Sequence, residues 1–250
     1  MKEKNTQFPA EEVTLPSKGL LYPKDSPLSK GVIEMKYMTA KEEDILTNTN
    51  LISNGTVIDK LLQSLIVTKF NYEDLLLGDK NAILIAARIL GYGADYSFNY
   101  RGENLKIDLA TLKDKVMDES LVIDGKNEFT FTLPTSKREV IFKLITHGDE
   151  KKIDQELKGL KKINKNSSPE LTTRMKHMIV SVDNNRDTKF IRDFIDNEFL
   201  AQDARSFRKH VKSIGGDIDL NVDIEMPDGT HEESVSLPIG ISFFWPDAEI

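Results

Sequence analysis

The stretch DKNAILIAARILGYGADYSFNYRGENLKIDL, residues 79–109, changes its apolar period midway, and that change decides the fold class. Its first half repeats apolar residues at helical spacing. Asp79 is placed to cap the start and Gly91 to stop the helix. From Tyr96 the period becomes two. Tyr96, Phe98 and Tyr100 alternate with polar residues, as do Leu105, Ile107 and Leu109, and RGEN between the two runs reads as a turn. A helix hands over directly to a hairpin.

Upstream, Thr39-Ala-Lys-Glu42 has the form of a capping box, in which the threonine hydroxyl takes a free amide and the glutamate reaches back. Val57, Leu61, Leu62, Leu65 and Ile66 then share one helical face. Ahead of these, VTLPSKGLLYPKDSPLSKGVIEMKYM is punctuated by Pro16, Gly19, Pro23, Pro27 and Gly31, and Val32–Tyr37 reads as a strand. This spacing forbids a helix and predicts an arm, polar over residues 1–12, that stays mobile until a partner orders it. Downstream, LVIDGKNEFTFTLP and KREVIFKLIT supply two or three strands. Helices are expected at 149–162, at 168–182, where Ser168 and Pro169 form a start, and across 187–213 up to Gly215-Gly216. Two alternating strands around Pro-Asp-Gly and the cluster FFWP follow.

Five segments result: an extended N-terminal arm with the first strand (1–38), a helical unit (39–93), a β-rich insert (94–146), a second helical unit (147–214), and a C-terminal β-hairpin with its aromatic end (215–250). Helices flank strands without a βαβ rhythm, so the class is α+β. The hairpin regions near 96–109 and 218–239 each follow a helix that ends in glycine, which hints at a duplicated helix–hairpin unit.

Composition narrows the chemistry. The formal charge of −7 counts against a nucleic-acid binder, which would carry a basic footprint. The absence of cysteine excludes disulfides, thiolate metal sites and thiol nucleophiles. No apolar run approaches the roughly 18 residues of a membrane span, and MKEKNTQFPAEE lacks the apolar region of a secretory signal. A reducing setting such as cytoplasm is expected.

Motifs for catalysis are missing as well. There is no phosphate loop, no H-E-x-x-H and no G-x-S-x-G. GYGADY at 91–96 follows a helix and precedes a strand, the wrong order for a dinucleotide site. His147, His177, His210 and His231 are scattered singly, so no zinc set converges. Asp217, Asp219 and Asn221 have calcium-loop spacing, but Val222 stands where that loop needs glycine. The six lysines between 150 and 166 are interleaved with Glu150, Asp154 and Glu156, which predicts a solvated helix with i,i+4 pairs. Glu42, Glu43 and Asp44 read as an acidic first helical turn. No catalytic, cofactor-binding or metal residues are assigned, and no cofactor is expected.

The segments without chemistry carry a resemblance. LPSKGLLYPKDSPLSKGVIEMKYMTAKEEDIL, GTVIDKLL, GDKNAILIAARILGYG, DARSFRKHVKSIGGDIDLNVDIEM and SLPIGISFFWP together resemble the baseplate hub protein family of T-even-type contractile-tailed bacteriophages. Members of that family serve as hub subunits or hub assembly factors. The likeness spans about 15–100 and 185–246. It implies a non-enzymatic tail protein whose partners are other baseplate hub or tail proteins, with no nucleic acid and no membrane, and with self-association left open. It would reside in the host cytoplasm during assembly or in the tail baseplate.

Members of that family often carry Cys-x-x-Cys pairs in the two hairpin regions, so the resemblance would imply small zinc ribbons. Here those regions read NYRGENLK and IEMPDGTHEE, so zinc is not carried over. Leu20, Leu21, Tyr22, Phe243, Phe244 and Trp245 are the interaction candidates. The favoured place for FFWP is against the last helix, around Phe199, Phe207 and Val211, and a partner-facing role is the other reading. The alternatives are a nucleic-acid-binding module on the 150–166 helix and a small hydrolase with a carboxylate site.

Overall fold

The computed structural model describes residues 9–115, 117–163 and 169–244. Trp245, Ser168 and residues 1–8 lie outside them, and with them part of the expected arm, helix start and aromatic end.

The chain begins with β1 (Ala10–Thr14), which pairs antiparallel with β2 (Val32–Lys36). The intervening loop is closed by the Leu15 amide, which donates to the Gly31 carbonyl at 2.8 Å. Gly19 (φ 78°) and Gly31 (φ 72°) face each other across this loop so closely that a Cβ on Gly19 would stand 2.5 Å from the Gly31 nitrogen. Only glycine satisfies both conditions.

Three short helices follow: α1 (Ala40–Leu46), α2 (Thr49–Ser53) and α3 (Val57–Leu65). Both reciprocal bonds of the Thr39–Glu42 box are present. The acidic triplet is dispersed: Glu42 also pairs with Lys36 at 2.8 Å, and Glu43 accepts from the Tyr92 hydroxyl.

Next, α4 (Leu77–Tyr92) runs into β3 (Asp95–Tyr100) and β4 (Glu103–Asp108), paired over six residues each. Arg101 (φ 52°) and Gly102 (φ 90°) form their two-residue turn, whose positive φ values match the strand twist. The buried Arg88 guanidinium seals the helix end by donating to the carbonyls of Gly93 and Asp95.

The insert continues through β5 (Asp114–Lys115), β6 (Phe129–Thr132) and β7 (Glu139–Phe142). The second helical unit holds α5 (His147–Ile163), α6 (Glu170–Met178), α7 (Thr188–Asn197) and α8 (Ala201–Ile214). Two expectations need correction here. Residues Ile179–Val182 form β8, the third strand of a β6-β7-β8 sheet, and do not continue the helix. The helix expected across 187–213 is broken at Glu198–Leu200, where Leu200 is extended (φ −59°, ψ 141°). The chain then passes through β9 (Asp217–Ile218), β10 (Asn221–Glu225) and β11 (His231–Ser236) to a 3₁₀ turn at Ile241–Phe244.

All strand pairs are antiparallel and the sheets are small, as an α+β fold requires. One hydrophobic core runs through all five segments.

The helix–hairpin arrangement occurs twice. In each case a leucine precedes the helix (Leu76, Leu200), and the third helical residue is a fully buried aspartate (Asp79, Asp203). Each aspartate accepts backbone amides from a distant loop: Ser17 for Asp79, and Thr135 and Ser136 for Asp203. The hairpins meet through an Arg101–Glu232 ion pair, and the Tyr96 hydroxyl donates to the Pro238 carbonyl at 2.7 Å.

Helix α5 departs from its expected pairing. Its acids reach other elements instead of lysines along their own helix. Glu150 holds Arg174 in a two-pronged contact, and Glu156 holds Arg192 in the same way and also meets His177.

Candidate functional site

The strongest polar assembly is at the start of α4. Asp79 Oδ1 accepts the Ser17 amide at 2.9 Å, while Oδ2 accepts the Ser17 and Tyr22 hydroxyls, each at 2.6 Å. The Tyr22 oxygen in turn accepts the Leu76 amide at 3.0 Å, filling one of the orphan donors of a helix start. The carboxylate thus clamps the N-terminal loop onto the helix. Alongside, Gly78 lies so near Gly216 that a Cβ would stand 1.9 Å from the Gly216 carbonyl oxygen, and one on Gly216 would meet the Pro16 oxygen at 2.5 Å. Three distant segments therefore cross at backbone contact.

This placement corrects the arm reading. Leu15, Leu28, Ile33 and Met35 are core residues, and Leu21 and Tyr22 are 2% and 4% exposed. Prolines and glycines bend the segment into a compact loop whose apolar side chains point into the protein. Leu20 is partly buried, and its carbonyl accepts the Gly125 amide at 2.8 Å. None of the three is a free docking patch. Leu21 and Tyr22 instead form the wall of an open cleft of about 460 Å³, together with Pro23, Pro27, Phe70 and Leu76. Leu21 also borders a second cleft of about 240 Å³, near Gly78 and Gly216.

Phe243 and Phe244 are fully buried. Their position differs from the one expected beside Phe199, Phe207 and Val211. The Phe243 ring packs edge-on to Tyr96 at 4.9 Å and to Phe244 at 5.2 Å. The end of the described chain thus docks on the first helix–hairpin unit. Phe207 is occupied elsewhere, by Phe142 and Phe131. Trp245 lies outside the described residues.

A second charged cluster joins α3, α4 and α5. Asp59 accepts from Lys80 at 2.6 Å and from the Tyr72 hydroxyl at 3.2 Å, and His147 stands 3.3 Å from Lys80. Burial lowers the His147 pKa, and the adjacent Lys80 ammonium adds to this against the pull of Asp59. The Lys80 ammonium can only donate in this contact, so the ring nitrogen facing it is the acceptor. His177, His210 and His231 lie in other elements. Among the described residues no group of three His, Asp or Glu side chains could hold a metal ion, and no helix is long and apolar enough to cross a membrane.

Two kinds of buried carboxylate predict opposite pH effects. Burial raises the Asp79 pKa above 3.8, and the bonds from Ser17 and Tyr22 offset this only in part. Its stabilising contribution is complete below the ordinary carboxylate range and is lost as pH rises through the raised value. Burial also acts to raise Glu42 and Asp203. There Lys36 and Thr39, or the Thr135 and Ser136 amides, outweigh it and hold both pKa values below normal. Their contribution is present above the ordinary range and is lost as pH falls through the lowered values. Urea midpoints measured against pH should therefore decline on both sides of a mildly acidic optimum. The decline toward neutral pH should vanish in Asp79→Asn, and its persistence would contradict this assignment.

The Ser17–Tyr22–Asp79 clamp was hidden in the sequence. Asp79 was visible only as a helix cap, and a serine and a tyrosine in an otherwise apolar loop were its only other trace. Compared with protein-family models, curated proteins and solved structures, the chain finds no match.

Proposed function

We propose that this chain is a non-enzymatic bacteriophage tail protein that acts in baseplate hub assembly, as hub subunit or assembly chaperone, through protein–protein contacts. The observation that carries the reading is convergence. The separate segments whose sequences resemble the hub family (the SKGLLY loop, the start of α4, Gly216 and Phe243) meet around Asp79, Gly78 and Tyr96. That these segments form one structural joint supports a scaffold reading over a reaction-site one. The spending of buried acids on clamps between loops and helices supports the same reading.

The test is sedimentation of lysate from phage-infected cells that express the tagged chain. Co-migration with baseplate hub intermediates is the expected result. Migration as free protein throughout infection, with no baseplate component attached, would overturn the proposal.

A further inference from the structure

The cleft beside Tyr22 has an unusual chemical balance. Its walls are Leu21, Pro23, Pro27, Phe70 and Leu76, yet Asp25 and Asp74 stand on it. Both carboxylates are exposed, and neither has an ion-pair partner among the described residues. Neighbours differ: Lys24 pairs with Asp124, and Glu73 with Lys151. Tyr22 is kept from rotating into the space, because its hydroxyl is committed to Asp79 and the Leu76 amide. The cleft thus joins an apolar side to a polar one, with Ser26, Asn71, Asn127 and Thr146 beside the two carboxylates.

We propose that this cleft binds a lysine- or arginine-bearing segment of a partner polypeptide. The long aliphatic stem lies on Phe70, Pro23 and Pro27, and the cationic head reaches Asp25 and Asp74. Lysine and arginine bury their stems on apolar surface while keeping the charge at its edge. The volume of about 460 Å³ admits the side chain together with its flanking residues. The net charge of −7 favours a basic partner over a second copy. The inference rests on the protein–protein reading above and names the chemistry of the partner.

The test uses the full chain and the synthetic peptide acetyl-Pro-Leu-Lys-Leu-Pro-amide, with versions carrying arginine, norleucine or glutamate at the centre. Binding is read from amide chemical shifts. The lysine and arginine peptides should perturb Phe70, Leu76 and Asn127, and norleucine should bind about tenfold more weakly. The double variant Asp25→Asn/Asp74→Asn, altered at exposed positions only, should lose roughly tenfold for the cationic peptides, a few-fold per exposed charge pair. It should also lose most of the salt dependence. Equal binding of norleucine, shifts mapped elsewhere, or spermidine binding as tightly as the peptide would each overturn the proposal. If the double variant still co-migrates with hub intermediates as wild type does, the cleft assignment fails and the hub reading stands. If the peptides bind but the chain never joins such intermediates, the hub reading alone fails.

Discussion

Asp79→Ala should lower the unfolding free energy by about 2–4 kcal/mol at mildly acidic pH, because it orphans several buried hydrogen-bond donors at once. The substitution leaves the Ser17 amide, the Ser17 hydroxyl and the Tyr22 hydroxyl without their acceptor at buried positions. Each orphaned donor costs about 1–3 kcal/mol. The penalties overlap, because Ser17 can partly relax once the carboxylate is gone. Asp79→Asn keeps one acceptor oxygen and should lose only about 1–2 kcal/mol. Urea denaturation with an unchanged m-value checks both. An alanine variant within about 1 kcal/mol of wild type would mean that the clamp contributes little.

Gly78→Ala should cost about 3 kcal/mol or more, the upper range for overpacking. The new methyl would meet the carbonyl oxygen of Gly216, a backbone atom held from behind by Pro16. A flexible side chain could turn away, whereas three crossed backbones cannot. Gly159→Ala is the contrast. That glycine lies in α5 with nothing within 4 Å of its would-be Cβ. There alanine should stabilise by about 0.5–1 kcal/mol through helix propensity alone. The same substitution in two helices should therefore shift thermal midpoints in opposite directions, and a matching sign at both sites would refute the crossing model.

What the sequence made legible was local. The Thr39–Glu42 box and the hairpin around Arg101-Gly102 were readable because cap, turn and period lie within a few residues of one another. Strand β8 was missed because its apolar run continues without a break from the helical pattern of α6. The break at Leu200 was missed because no glycine or proline marks it. The arm was misjudged for a different reason. Its prolines and glycines report only what the backbone cannot do locally, while burial of Leu21 and Tyr22 depends on a helix far along the chain. Phe243 and Phe244 are covered, but Tyr96, which packs on Phe243, belongs to another segment than the last helix.

The clamp and the C-terminal docking also constrain when the molecule can fold. Ser17 meets Asp79 across 62 positions, and Tyr96 meets Pro238 across 142. Closing such loops costs chain entropy before any contact repays it, and folds rich in distant contacts fold slowly. The hairpins and α5 can assemble from neighbouring residues, whereas the joint at α4 must wait for both far segments. Asp79 is then a late-forming site, so its alanine variant should chiefly hasten unfolding and leave the folding rate nearly unchanged. The residues that hold the finished protein shut are thus a latch that closes last, and until it closes Leu76 and Tyr96 stay open to water, chaperones or proteases.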